Sequence, residues 1–163
     1  MQPKIGQRGI ALYIAITITG ALVLVAFAII SIALRQINIA SVGRDSQAAF
    51  YAADSGAECA LFWDVKNPTN PTRSAFATTT SQVISCNANV ANPLNNNISV
   101  GGGQANATST FDLTFLPDAY CATVTVVKSY IGGQSATKIE SRGYNTCADG
   151  ALRRVERAVR ITY

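Results

Sequence analysis

The chain contains no histidine. That removes Ser-His-Asp and Cys-His nucleophile arrangements and the commonest protein metal ligand. Charge is also scarce. Only 13% of the 163 residues are charged, against about 25% in an ordinary soluble domain. The four cysteines, Cys59, Cys86, Cys121 and Cys147, form no CxxC pair, and zinc would need all four thiolates at unhelpful spacings. The triple glycine Gly101–Gly103 lacks the Lys-Ser/Thr of a phosphate loop. The nine acidic residues show no paired constellation. Composition leaves a Ser-Lys pair open. The chain therefore reads as not an enzyme, with no cofactor and no metal.

The missing charge is concentrated in one place. Ile10–Leu34 carries no charged residue, and 14 of its 25 side chains are Ile, Leu, Val or Phe. As a helix it would be about 37 Å long, enough to cross roughly 30 Å of hydrocarbon with some tilt. Ile14, Ile16 and Ile18 alternate with smaller residues as a strand would. A lone strand in lipid would leave its backbone groups unpaired, so the helix is expected. There Thr17 and Thr19 can bond back to carbonyls a turn earlier. Lys4 and Arg8 precede the run. They predict a single-pass inner-membrane segment with its N-terminus in the cytoplasm and the remainder outside.

The net charge of +4 is mild, and residues 35–163 hold 11 basic against 9 acidic side chains. This balance gives no electrostatic case for DNA or an acidic host surface. Arg153, Arg154, Arg157 and Arg160 read as the solvated face of an edge strand. Outside the membrane, an even cysteine count suits disulfides. Of the three pairings, Cys59–Cys86 with Cys121–Cys147 closes the shortest loops. Buried free thiols are the other reading.

No proline occurs from Ile10 to Lys66, and Asn67-Pro68 then supplies a stop. One helix of about 57 residues is expected. From Arg35 it becomes amphipathic, with Phe50, Ala53, Ala57 and Leu61 as an apolar stripe. Ala49, Ala52, Gly56, Ala60 and Trp63 form a small-residue seam beside it. Gly43 and Gly56 each cost about 1 kcal/mol in a helix, which implies either close packing or a bend. Residues 67–110 are rich in Asn, Thr, Ser, Ala and Gly and read as a loose connection with one short strand at Gln82–Cys86. Asn97-Ile98-Ser99 and Asn106-Ala107-Thr108 match the glycosylation sequon.

The last third alternates as strands do: Phe111–Leu116, Tyr120–Tyr130, Ala136–Gly143 and Arg153–Tyr163. Pro117-Asp118 and Gly132-Gly133 supply turns. Val155, Arg157, Val159, Ile161 and Tyr163 share one face of the final strand. The fold class is thus α+β: a long N-terminal helix, half transmembrane and half amphipathic, packed on a small antiparallel sheet of about four strands. The expected divisions are 1–9, 10–34, 35–66 and a head at 67–163.

The strings QRGIALYIAI and SQAAFYAADSGAECALFWD resemble the N-terminal region of PilX-type minor pilins. That family begins RG-apolar and later carries an aromatic-alanine-alanine-acid segment, here Phe50 to Asp54. The overall layout is similar to type IV pilins and secretion pseudopilins. The resemblance implies a prepilin leader cut between Gly9 and Ile10 by a prepilin peptidase, with methylation of the new amine. It also implies other pilin subunits, an inner-membrane assembly platform and membrane lipid as partners, and a final extracellular or periplasmic filament. Major pilins carry glutamate as the fifth residue after the cut, where this chain has Ile14. Some minor subunits, notably the K-type pseudopilin at the filament tip, also lack it. The resemblance therefore implies a minor or tip-associated subunit. The alternatives are a signal-anchored extracellular binding domain that never assembles, or a secreted form cut near Ser31-Ile32-Ala33.

Overall fold

The computed structural model describes residues 7–77, 79, 81–86, 95, 97–102, 106–117, 119–131 and 134–163. Lys4, most of the leader and the Gly132-Gly133 turn lie outside the described residues. The element order is α1 (Gln7–Val65), β1 (Ser81–Ile84), β2 (Ile98–Gly101), β3 (Asn106–Phe115), β4 (Tyr120–Ile131), β5 (Gln134–Tyr144) and β6 (Glu156–Thr162). The chain divides into two compact units, Met1–Gly43 and Arg44–Tyr163, so α1 contributes to both.

In the first unit every side chain from Ile10 to Ala40 is exposed. The segment is long and apolar enough to cross a membrane. Its polar side chains are satisfied locally. Thr17 Oγ1 donates to the carbonyls of Tyr13 and Ile14, and Thr19 Oγ1 to those of Ala15 and Ile16. Ser31 Oγ donates to the Phe27 carbonyl. Such back-bonding removes the cost of an unpaired hydroxyl in an apolar medium.

The second unit is built on a four-stranded antiparallel sheet in the order β3-β4-β5-β6. Val124 pairs with Phe111 on one side and Ser141 on the other, and Ser141 pairs with Val159. Alternation sends Ala122, Val124 and Val126 of β4 inward, together with Ile139 and Ser141 of β5. Residues 44–65 of α1 cover that face. Their buried side chains are Ala49, Ala52, Ala53, Ala57 and Ala60, followed by Trp63 and Asp64. Small residues let the helix backbone approach the sheet. A Cβ on Gly143 would collide with the Ala49 carbonyl oxygen and the Ala53 nitrogen. One on Gly56 would stand 2.5 Å from Ser141 Oγ and 2.8 Å from Val124 Cγ2. Close packing is therefore the role of Gly56, whereas nothing lies within 4 Å of a Cβ at Gly43.

Phe50, expected in the apolar stripe, is 47% exposed. The face turned to the sheet combines the small-residue seam with Ala53 and Ala57 of the stripe, because a phenylalanine would hold the backbones too far apart for the Gly143 contact.

The described residues between 67 and 110 are also better organised than their composition implies. Ala75 and Phe76 are buried, and Phe76 stacks on Phe111 with ring centroids 6.2 Å apart. β1 pairs antiparallel with β2, a strand absent from the sequence expectation. Asn67 ends the helix as expected. Its buried Oδ1 accepts from the Thr69 and Asn70 amides, and its Nδ2 donates to the Arg73 carbonyl at 2.7 Å. Asn95 is fully buried and acts as a side-chain rung beside β3: Nδ2 donates to the Thr114 carbonyl and the Thr114 amide donates to Oδ1, both at 2.9 Å. Trp63 lies in the core, with Nε1 donating to the Ser85 carbonyl at 3.1 Å.

Candidate functional site

Three groups of residues carry candidate function. The first is the expected processing junction. Gly9 and Ile10 lie in the first turns of α1. Ile10 is exposed, and Ile14, one helical turn further, is 49% exposed on the same uncovered apolar surface. No charged side chain interrupts that surface before Arg35. It can face lipid tails or other apolar helices with equal ease, because both remove it from water.

The second group is the cysteines. Cys59 of α1 is joined to Cys86, 27 residues later, and the bond ties the helix to the segment after β1. Cys121 and Cys147, the second expected pair, stand as free thiols within hydrogen-bonding reach of one another. Cys147 Sγ donates to the Ala119 carbonyl at 3.3 Å, so its hydrogen is already engaged. Burial, and then the hydrogen bond and charge of Cys147, push the Cys121 thiol up to about 12. A thiol held protonated is a poor nucleophile.

The third group is a polar cluster around Asp64. Asp64, one turn beyond Ala60, ends the buried seam with a carboxylate. Its side chain is 2% exposed and that of Lys128 is 9% exposed, and Lys128 Nζ lies 2.6 Å from Asp64 Oδ1. Ser74 Oγ donates to the same oxygen. Thr137 Oγ1 at 3.3 Å and the Tyr163 hydroxyl donate to Oδ2. Four elements thus converge on one carboxylate: the end of α1, the turn at Ser74, β4 and the β5–β6 edge. Burial raises the Asp64 pKa. The hydrogen bonds from Lys128, Ser74 and Tyr163, with the Lys128 charge, outweigh it, and the net shift is downward. Tyr163 moves upward through burial and the neighbouring carboxylate. The signal for this cluster was positional: Asp64 continues the helical spacing of Ala53, Ala57 and Ala60, and Lys128 keeps the inward parity of Val124 and Val126.

The C-terminal arginines are engaged individually. Arg160 Nη2 and Arg142 Nη2 each lie 2.8 Å from Glu140, on the outer face of the sheet. Hydrogen bonds from these two arginines hold the Glu140 pKa down at about 2. Arg154 pairs with Asp149 at 2.6 Å and stacks over Tyr144 at 3.9 Å. Arg157 Nε donates to Ser46 Oγ at 2.8 Å, which puts it on the helix-facing side of β6. Among the described residues, no group of three or more acidic or cysteine side chains is arranged to hold a metal ion.

Comparison with protein-family models, with curated proteins and with solved structures found no match.

Proposed function

We propose that the chain is a type IV pilin-like filament subunit of the minor or tip class. The observation that carries this reading is the single helix α1, Gln7–Val65. Its first part is apolar and wholly exposed, while its last part packs through alanine and glycine on an antiparallel sheet. A membrane anchor alone needs only about 20 apolar residues. Continuing the same helix into the core of the second unit suits a subunit whose apolar segment is handed from lipid to a bundle of like helices.

On this reading a prepilin peptidase cuts between Gly9 and Ile10. The new N-terminus is methylated, and an assembly platform moves the helix out of the bilayer. Transfer into water would instead cost about 0.8 kcal/mol per CH₂ exposed. Ile14 supplies no carboxylate for a neighbour's N-terminal charge, so a position with no subunit beyond it suits this chain best. The cell location follows: an inner-membrane pool with the second unit outside, then a filament.

The test is immunogold labelling of sheared surface filaments. The reading expects sparse label concentrated at filament ends. Dense label along shafts would overturn the minor or tip assignment, and label confined to the membrane would overturn the filament reading altogether.

A further inference from the structure

An open cleft of about 400 Å³ borders the Asp64 cluster, at the end of the second unit's helix remote from Arg44. This volume suits a monosaccharide-sized ligand. Arg73, Lys128, Thr79, Tyr130 and Ser135 help to line it. The carboxylate of Asp64 also reaches the wall but has no acceptor capacity left. A carboxylate offers about four lone-pair sites. Here Lys128 and Ser74 occupy Oδ1 while Thr137 and Tyr163 occupy Oδ2. The pair with Lys128 also cancels the Asp64 charge, which leaves Arg73, among the described residues, as the uncompensated charge of the wall. Lys128 carries three N–H donors, of which a single carboxylate oxygen takes one. The cleft therefore offers hydrogen-bond donors and positive charge, together with the hydroxyls of Thr79, Tyr130 and Ser135.

We infer that this cleft binds a small polyhydroxylated anion of the uronic-acid class, its carboxylate against Arg73 and Lys128 and its hydroxyls against the Thr, Ser and Tyr side chains. Arg73 can meet a carboxylate with two parallel N–H groups, the geometry that favours arginine at such sites. The inference is independent of filament assembly, since it rests only on residues of the second unit.

The test is titration of glucuronate into the full-length protein in neutral detergent micelles, followed by amide NMR at constant ionic strength. Saturable shifts are expected at Thr72, Arg73, Ser74, Lys128 and Ser135, with a midpoint in the millimolar range. Arg73→Gln should weaken binding about tenfold, the size of one lost charge-assisted contact. Among the described residues Arg73 contributes only its backbone to the local hydrogen bonds, to Asn70 and Asn67, so this variant keeps the fold. Glucose should bind at least about tenfold more weakly than glucuronate on the same grounds. Absence of saturable shifts, equal binding of glucose, or unchanged binding by Arg73→Gln would each overturn the assignment.

Discussion

Replacing Gly143 with alanine is the sharpest test of how the helix meets the sheet. The added Cβ would overlap the Ala49 carbonyl oxygen and the Ala53 nitrogen, both backbone atoms of α1. A side chain could rotate away, but a helical backbone can only withdraw. Withdrawal by even half an ångström to one ångström forfeits about a quarter to a half of each contact's dispersion energy. It would do so along the whole row Ala49, Ala53, Ala57 and Ala60, which is buried to within 1%. A loss of about 3 kcal/mol is expected, the upper end of ordinary overpacking. The lower entropy of the unfolded alanine chain recovers under about 1 kcal/mol of it. Urea unfolding in neutral micelles would read the change through Trp63, the chain's single tryptophan, which is 9% exposed when folded. With a slope of about 2 kcal/mol per molar urea, the midpoint should fall by about 1 to 1.5 M. Gly43→Ala is the control: its Cβ meets nothing within 4 Å. There the helix should gain up to about 1 kcal/mol. A Gly143→Ala midpoint within about 0.3 M of the parent would refute the close approach of helix and sheet.

Asp64→Asn should cost about 3 to 5 kcal/mol, because it strands the buried Lys128 ammonium; the double variant Asp64→Asn with Lys128→Met should recover part of that loss in the same urea assay. The depressed Asp64 pKa contributes stability that is present above the ordinary carboxylate value, about 4, and is lost as pH falls through the lower folded value. Acid titrations should show this loss in the parent and not in Asp64→Asn. Cys59→Ala opens a loop of 27 residues. It should lower stability by about 3 to 4 kcal/mol on the chain-entropy estimate, and dithiothreitol should produce the same shift in the parent while leaving the variant unchanged.

The sequence made the helix legible because two strong signals agreed. An uncharged apolar run forces a helix in lipid, and the next stop is Asn67-Pro68; the observed helix ends at Val65. The strands of the main sheet were legible from their alternation, and Tyr163 was assigned to the face from which it reaches Asp64. Phe50 fits the apolar stripe by hydrophobicity, whereas the sheet selects small residues where Gly143 lets the helix close in. β2 was hidden because Ile98, Ser99, Val100 and Gly101 offer only two apolar side chains among turn-forming neighbours. Asn95 was hidden for a different reason. A buried amide that replaces a backbone rung depends on Thr114, 19 residues away, and no local pattern announces such a partner. The Asp64 cluster likewise assembles across 99 residues. Asp64, Lys128 and Thr137 sit at buried positions while Ser74 is half-buried and Tyr163 is 50% exposed, and their meeting depends on how the strands are ordered in the sheet.

The central claim concerns a processed helix, and the mature N-terminus of protein taken from cell envelopes tests it most directly by mass spectrometry. The account predicts a chain beginning at Ile10 and carrying one methyl group on its amine. An intact Met1 would contradict it in favour of a plain membrane anchor, and a chain beginning at Leu34 would contradict it in favour of a secreted domain.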